Sequence, residues 1–347
     1  MREGWTYKKI GEVCEIYQPK TLSTEDLVAD GDYPVYGANG IIGRYNSYNH
    51  EFPEVLLTCR GATCGTINIS QPFSWVNGNA MVIHRKSDDL SFDFLKYIML
   101  SLDYSMIITG AAQPQITRQK LAPTVISYPS LSEQQSIVAE LDKINELISL
   151  KKAQLSDLDS LAQSIFYDMF GDPIENEKGW EVKKLGEACS LKAGKSIKAS
   201  DLVEKKDNIF PCYGGNGIRG YIDRFSHEMD LPIIGRQGAL CGNVNFAKGP
   251  FYATEHAVVV TPVVNLDVVW LYYILKGLRL ENFAHGVAQP GISVGDLNPI
   301  PLPIPPLTLQ QEFAKRIELI EQQKTQISSA IKDLETLLAS RMQYWFD

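Results

Sequence analysis

The feature that most constrains the fold is a repeat, because the 347-residue chain carries the same ordered series of short motifs twice. Gly4-Trp5 returns as Gly179-Trp180, and Tyr-Gly-Ala-Asn-Gly-Ile at 36–41 returns as Tyr-Gly-Gly-Asn-Gly-Ile at 213–218. The copies are offset by 175–177 residues, far more than the period of roughly 20–50 residues in solenoid repeats. The sequence therefore predicts a duplicated domain. Two similar modules suggest a protein that binds two similar targets at a fixed separation.

The other paired motifs keep the same order and nearly the same spacing. They are Gly61-Ala62 with Gly238-Ala239, Cys64-Gly65 with Cys241-Gly242, Gln113-Pro114 with Gln289-Pro290, and 131–135 with 307–311. We predict four segments: a first module at 1–130, a long helix and linker at 131–173, a second module at 174–306, and a second long helix at 307–347.

Composition is that of a folded globular protein, with 44% hydrophobic and 10% aromatic residues. The longest apolar run, 268–275, is too short to span a bilayer, and the first residues lack the apolar core of a signal peptide. The six cysteines show no CxxC spacing, which favours buried packing over a disulfide framework. We therefore expect a cytoplasmic protein with no membrane partner.

The net charge of −8 disfavours nucleic-acid binding until it is divided along the chain. The two modules carry −2 and 0, whereas the segments that follow them carry −5 and −1. Near-neutral modules neither require nor exclude DNA as a partner.

Each module ends in a proline-marked extended exit, which a long helix follows. Ser132 with Gln135, and Thr308 with Gln311, fit the capping box that starts a helix. A helix of roughly 38 residues would span about 57 Å.

Apolar residues then recur in alternating steps of four and three, which is the period of a coiled-coil seam. The seam positions of the first helix are Ile137, Leu141, Ile144, Ile148, Lys151, Leu155, Leu158, Ala162, Ile165 and Met169, and those of the second are Phe313, Ile317, Ile320, Lys324, Ile327, Ile331, Leu334, Leu338, Arg341 and Trp345. The pattern favours a long antiparallel coiled coil that separates the modules with pseudo-two-fold, circular organisation. The alternative is two amphipathic helices that each pack on their own domain.

Within the modules, short β-rich runs alternate with Gly, Asn and Pro turns, which is typical of an α+β fold. The runs are at 54–58, 81–84, 231–234 and 257–261, and apolar stretches at 92–102 and 268–278 predict one helix in each module.

No catalytic motif is present: the chain lacks HExxH, a P-loop, a methyltransferase Asn/Asp-Pro-Pro-aromatic motif and a nuclease pattern of spaced acids. The five histidines have no metal-ligand spacing, and for the repeated His-Glu pairs at 50–51 and 227–228 a structural role is favoured over a ligand role. We therefore predict no catalytic residue and no metal site, and an enzyme is the least favoured class.

Polar, turn-rich loops remain, and their Arg, Lys, Asn and Gln side chains suit DNA contacts. Guanidinium groups and amides pair with base edges, and cations pair with phosphates. The candidates are Asn39, Arg44, Arg60, Gln113, Gln115, Arg118, Lys120, Lys195, Lys198, Asn216, Arg219, Arg224, Arg236, Gln237 and Gln289. Each has a structural alternative: Asn-Gly pairs form turns, and in that alternative the repeated Gly and Gln-Pro motifs hold the scaffold.

Together the motifs resemble the specificity (S) subunit of type I restriction-modification systems over essentially the whole chain. The resemblance rests on Gly-Trp, Tyr-Gly-x-Asn-Gly-Ile, the Arg/Gly/Cys-Gly motif, Gln-Pro, and the exit Pro-x-Leu-x-x-Gln-Gln, all in duplicate. The second exit departs from the usual Glu-Gln pair, reading Leu309-Gln310.

The resemblance implies two target recognition domains that read the halves of a split, asymmetric sequence in double-stranded DNA. It implies that the paired helices set the unread spacer and dock two methyltransferase subunits, which hold S-adenosylmethionine and methylate adenine. A translocating endonuclease subunit, using ATP and Mg²⁺, would join for restriction. The chain itself would be non-catalytic and bind no cofactor.

The rival class is a coiled-coil adaptor that displays two ligand-binding domains to other proteins and has no DNA role. Salt distinguishes the two classes, because counterion release makes DNA affinity fall steeply with salt, whereas an adaptor binds no duplex.

Overall fold

The structure, a computed structural model, describes residues 2–110, 113–206, 209–286 and 290–347. The chain divides into two compact units. Unit one comprises residues 2–151 and Ala330–Asp347, and unit two comprises Lys152–Ser329. Both long helices cross from one unit into the other.

Unit one combines β-sheets with helices in an α+β arrangement. Its elements are β1 (Thr6–Lys9), α1 (Ile10–Val13), β2 (Cys14–Tyr17), β3 (Tyr33–Gly37), β4 (Gly40–Tyr45), β5 (Val55–Thr58), β6 (Ile67–Ile69), β7 (Trp75–Val76), β8 (Ala80–Arg85), α2 (Phe92–Ser101), α3 (Arg118–Leu121), β9 (Val125–Tyr128) and the first part of α4 (Leu131–Phe170). The order β2-β8-β5-β6 forms an antiparallel sheet, β4-β3-β7 forms a second sheet, and β1 pairs with β9.

The central strands of unit one are buried on both faces, which explains their uninterrupted apolar sequences. Leu56 and Val82 pack with Tyr36 on one side of the sheet. Leu57 and Ile83 point to the other side and join the core that contains α2. The sheet therefore lies between two apolar layers.

Unit two repeats this topology. Its elements are the rest of α4, β10 (Glu181–Lys184), α5 (Leu185–Ala188), β11 (Cys189–Ala193), β12 (Phe210–Gly214), β13 (Gly217–Ile222), β14 (Leu231–Gly235), β15 (Val244–Ala247), β16 (Tyr252–Ala253), β17 (Ala257–Pro262), α6 (Val268–Gly277), α7 (Val294–Leu297), β18 (Pro301–Ile304) and the first part of α8 (Leu307–Phe346). The sheets are β11-β17-β14-β15, β13-β12-β16 and β10-β18. The predicted α+β class, strands and module helices are confirmed to within a residue or two.

All six cysteines are free thiols, and every one except the half-buried Cys64 is buried. Burial raises the pKa of the Cys14 and Cys189 thiols to about 12, so both stay protonated at neutral pH. The predicted packing role, without a disulfide framework, is confirmed.

The predicted capping boxes at the starts of the long helices are wrong. Both helices begin one residue before Ser132 and Thr308, so these hydroxyls already lie in the first turn. Ser130 stands directly before α4, and its Oγ accepts the N–H of Glu133 at 3.5 Å. The hydroxyl that sequence inspection assigned to Ser132 is thus supplied two residues earlier, whereas in the second copy Pro306 occupies that place.

A buried glutamine in each exit motif fastens the start of the long helix to its module. The Oε1 of Gln134, a fully buried residue, accepts the N–H of Ser91 at 2.8 Å, and its Nε2 donates to the carbonyls of Asp89 (2.7 Å) and Pro129 (2.9 Å). Ser91 is also the N-cap of α2. One side chain therefore joins the module helix, the exit strand and the long helix.

We call this set of hydrogen bonds from one buried glutamine the clamp, and the second module repeats it. The Oε1 of Gln310, which is 1% exposed, accepts the N–H of Asp267 at 2.9 Å, and its Nε2 donates to the Pro305 carbonyl at 2.8 Å. Asp267 is the N-cap of α6, as Ser91 is of α2. The repeated Leu-x-x-Gln-Gln motif is thus explained by its first glutamine.

The end of each long helix packs on the module at which it arrives. In unit one Arg2 Nη1 donates to the Trp345 carbonyl at 2.8 Å, and the rings of Phe94 and Phe346 lie 5.3 Å apart. In unit two Trp180 Nε1 donates to the Phe170 carbonyl at 2.9 Å. The chain ends of unit one thus lie close together.

Replacing Gln134 with Ala should destabilise unit one by about 2–3 kcal/mol, because it leaves a buried N–H and buried carbonyls without partners. Hydrogen exchange of the β5 and β8 amides measures this free energy locally. The neighbouring exposed Gln135→Ala is the matched control and should change it by less than about 0.5 kcal/mol. Equal effects of the two substitutions would contradict the clamp.

Candidate DNA interface

In unit one, two loops that the sequence singled out lie side by side. We call residues 60–65 and 237–242 the glycine loops, and 114–116 and 290–292 the proline segments. Gly61 N–H donates to the Pro114 carbonyl at 3.0 Å, and Ile116 N–H donates to the Cys59 carbonyl at 3.0 Å. Arg60 and Gln115 therefore face each other as an antiparallel bridge, which places their side chains on neighbouring positions.

The Asn-Gly turn joins the same loop cluster. Gly40 closes the hairpin between β3 and β4 with a φ of +111°, a conformation that favours glycine. The Oδ1 of Asn39 accepts a hydrogen bond from Thr63 Oγ1 at 2.6 Å, and Thr58 Oγ1 donates to the carbonyl of Ala38. The turn is thus fastened to the glycine loop.

All of the unit-one candidates lie at the surface: Asn39, Arg44, Arg60, Gln113, Gln115, Arg118 and Lys120 are exposed. Within the described residues, the side chains of Arg60, Arg118 and Lys120 have no hydrogen-bond or ion-pair partner. Arg44 differs, because its guanidinium donates to the carbonyls of Gly31 and, at 2.6 Å, Asp32. Arg44 therefore has a structural role in holding the segment at Gly31 and Asp32 in place.

Unit two presents the same loop pair. Gly238 N–H donates to the Pro290 carbonyl at 2.9 Å, and Ile292 N–H donates to the Arg236 carbonyl at 3.0 Å. Gln237 forms the antiparallel bridge, and its partner is Gly291. The candidate Gln289 lies outside the described residues.

This register gives Arg236 a different position from that of Arg60. Its carbonyl accepts from Ile292 as the carbonyl of Cys59 accepts from Ile116, so it occupies the position of Cys59. Its side chain is half-buried, and Nη1 lies 3.5 Å from the Glu255 carbonyl. Its Nε is buried without a partner among the described residues. The exposed counterpart of Arg60 is therefore the next residue, Gln237.

The other unit-two candidates are also exposed: Lys195, Lys198, Asn216, Arg219 and Arg224. Arg224 is paired, with Asp201 at 3.3 Å and Asp223 at 3.2 Å. In the described part of the chain the other four have no hydrogen-bond or ion-pair partner for their side chains. Unit two thus also offers exposed cations and an amide, and which of them contact DNA stays a prediction.

The predicted apolar seam positions are the inward positions of the long helices. Buried are Ile137, Leu141, Ile144, Ile148, Phe313, Ile317, Ile320, Ile327 and Ile331, and half-buried are Leu155, Leu158, Ile165, Leu334 and Leu338. The sequence pattern missed the exposed leucines at 147, 150 and 161 on α4 and at 319 and 337 on α8. These lie off the seam and leave part of each helix apolar and open.

Two charged seam residues form ion pairs between the long helices, one within each unit. In unit two Lys324 lies 2.8 Å from Asp159 and from Glu321. Burial lowers the pKa of Lys324, but the two carboxylates outweigh it and raise the pKa overall. In unit one Arg341 Nη2 donates to Glu140 at 3.0 Å, and Trp345 Nε1 donates to the same carboxylate at 3.1 Å.

Features of other classes of site are also informative. Among residues 2–110, 113–206, 209–286 and 290–347, no group of three or more His, Cys, Asp or Glu side chains is arranged to hold a metal ion. No described helix is both long and apolar enough to cross a membrane.

The comparisons with known proteins agree with the duplicated geometry. The family model described as the type I restriction modification DNA specificity domain matches the chain twice, at residues 2–159 and 177–336. These matches cover most of the sequence. The chain therefore belongs to this family and carries two copies of its domain, as the resemblance implied.

Related proteins carry the same description. The chain is similar to the type I restriction enzyme EcoprrI specificity subunit of Escherichia coli, at 41% identity over 187 residues, which are 52% of this chain and 46% of that protein. It thus matches less than half the length of that relative. A type I specificity subunit of Methanocaldococcus jannaschii, MjaIX, is 24% identical over 314 residues, covering 77% of this chain and 71% of its own.

Solved structures show the same fold. An S subunit of a type I restriction-modification system from M. genitalium superposes with a TM-score of 0.63 at 19% identity, covering 99% of this chain and 96% of that one. A chain from a structural study of assembly and conformational transition in the type I system gives 0.59 over 99% and 97%.

Replacing Glu140 with Gln should lower the melting temperature of unit one at pH 7, with a smaller loss near pH 3. Arg341 holds the pKa of the Glu140 carboxyl below its ordinary value. Its stabilisation is therefore complete above the unfolded pKa and is lost as the pH falls through the folded pKa. Differential scanning calorimetry at both pH values measures this.

The control is Lys143→Gln, which removes an exposed ion pair with Glu146 on the same helix and should leave the melting temperature unchanged. A loss for Glu140→Gln that is the same at pH 7 and pH 3 would show that its charge does not hold the helices together.

Proposed function

We propose that this chain is the DNA-specificity subunit of a type I restriction-modification complex and that each module reads one half of an asymmetric bipartite target. The observation that carries the proposal is that one loop geometry occurs twice and presents different side chains. Two loops with the same backbone geometry can be placed on DNA in the same way. Different side chains on these loops then select different bases.

The long helices act in this proposal as an antiparallel coiled coil between the modules, with pseudo-two-fold, circular organisation. Each helix has 40 residues and would span about 60 Å. DNA rises about 3.4 Å per base pair, so such a rod would hold two readers on separated half-sites. The ion pairs within each unit, Lys324 with Asp159 and Arg341 with Glu140, support antiparallel pairing.

Catalysis in this proposal belongs to partners. Two methyltransferase subunits would dock on the helices and methylate adenine with S-adenosylmethionine, and an endonuclease subunit would use ATP and Mg²⁺. The chain itself would bind no cofactor. Partners that close around the duplex would also complete the affinity, because the near-neutral modules attract DNA weakly by themselves.

The proposal is tested by co-expressing the chain with the methyltransferase encoded beside it and sequencing the host DNA for modified bases. We expect one split motif, with different halves, that carries methylated adenine on both strands. The methyltransferase expressed alone is the control and should leave that motif unmodified. A palindromic motif would contradict the asymmetric reading.

Salt titration of duplex binding by the assembled complex separates this function from the adaptor. A DNA reader should lose affinity steeply between 50 and 200 mM salt, as bound counterions are no longer released favourably. A stable complex that neither methylates DNA nor binds duplex at 50 mM salt would favour the adaptor instead.

A circularly permuted chain tests the proposed circular organisation. Joining Asp347 to the N-terminus and opening the chain between Gly171 and Lys178 should preserve folding and assembly, since Arg2 and Trp345 are already in contact. Co-purification with the methyltransferase and the recovered motif are the measurements. A permuted chain that folds but does not assemble would contradict the circular arrangement.

A further inference from the structure

We infer that Arg60 and Gln237 are equivalent specificity-determining residues, and that they read guanine in one half-site and adenine at the corresponding position of the other. The inference rests on the proposed DNA-reading function and names what that function selects at one position in each half.

The equivalence of the two residues follows from the backbone around them. Each stands directly before a loop glycine, and Gly61 and Gly238 have φ angles of +86° and +85°. Each glycine N–H donates to the carbonyl of a proline segment, at 3.0 and 2.9 Å. Each glycine carbonyl then accepts the N–H of a cysteine three residues later, Cys64 or Cys241, at 3.0 Å. The two positions thus share one local geometry.

The bridges on the other side of the loop are equally alike. Gln115, opposite Arg60, also bridges Thr109, and Gly291, opposite Gln237, also bridges His285. Both proline segments are therefore held from two sides. Because these backbone hydrogen bonds and bridges are the same, the two modules differ here in the side chains and not in the course of the backbone.

Arg60 has the chemistry that selects guanine. Its side chain is exposed and has no partner among the described residues, so its N–H groups are open to a ligand. Guanine presents two acceptors, N7 and O6, in the major groove, and the fork of an arginine donates to both. The neighbouring Gln115 places an amide beside it for a second polar contact.

Gln237 has the chemistry that selects adenine. Adenine presents one acceptor and one donor, N7 and the N6 amino group, which an amide matches with its own donor and acceptor. His256 Nδ1 lies 2.7 Å from Gln237 Oε1. With the proton on Nδ1, this bond orients the amide and leaves its Nε2 donors and one Oε1 lone pair open.

The residue opposite strengthens the contrast. Gln115 adds a polar side chain in unit one, whereas Gly291 adds none in unit two, so Gln237 acts alone across its bridge. The two N–H groups of an amide diverge from one nitrogen, so an amide lacks the parallel fork with which an arginine donates to both guanine acceptors. The two half-sites should therefore differ at this position.

The test uses the full chain assembled with its methyltransferase partner on a library of randomised duplexes, sequenced after selection. Arg60→Gln should lower the preference for guanine over adenine by about 5- to 150-fold, the range of one bidentate base contact, at one position of one half-site. Arg60→Lys should keep guanine, because lysine also donates to its acceptors. The other half-site should not change.

Lys20→Gln, at a side chain outside the candidate DNA contacts, is the charge-matched control. It removes one positive charge from another exposed side chain of the same unit and should leave every selected base unchanged, with at most uniformly weaker binding. Gln237→Arg is the reciprocal variant and should move the corresponding position of the other half-site from adenine to guanine.

The outcomes separate the inference from the function on which it rests. A wild-type bipartite motif together with an unchanged motif for Arg60→Gln, or with weakening spread evenly over all sequences, would overturn the inference and leave the function standing. Absence of any motif for the wild-type complex would overturn both.

Discussion

The structure depends most on a buried amide used twice. Gln134 and Gln310 each join the cap of a module helix to the exit strand and to the first turn of a long helix. Buried polar groups are costly unless they are paired, so this clamp specifies one direction in which the helix leaves its module. Each module is thereby fixed relative to the start of its own helix, as the proposed role of the helices in separating two DNA readers requires.

The glycine loops, too, are held in place by backbone hydrogen bonds. Glycines at 61 and 238 adopt a conformation that other residues rarely take, and the proline segments hold the loop from the other side. The backbone therefore sets the geometry of each loop, and the side chain of the residue before the glycine is free to vary. Arg60 and Gln237 occupy that position, so under the proposed function a change of specificity would require no change of fold. Under the proposed function, a fixed backbone with a variable side chain would let a duplicated domain read two different half-sites.

Sequence alone predicted the duplication, the α+β class, the module helices and the buried seam. Repeated motifs and apolar periodicity can be read directly from the order of the residues. Sequence alone failed where several residues offer the same chemistry: Ser130, not Ser132, supplies the hydroxyl at the start of α4. Nor could the sequence tell which of two adjacent candidate side chains is exposed. Arg236 suggested a free guanidinium, but the register turns it toward the Glu255 carbonyl and exposes Gln237 instead. The role of Gln134 depends on Ser91 and Asp89, more than 40 residues away, and no local pattern reveals such partners.

The structure of the full chain bound, with its methyltransferase partner, to its target duplex tests the proposed DNA reading most directly. We predict that both glycine loops face the major groove, with Arg60 at a guanine of one half-site and Gln237 at an adenine of the other. Loops holding Asn39, Arg60 and Gln237 that faced away from the duplex would contradict this prediction, as would the same base at these positions in both half-sites.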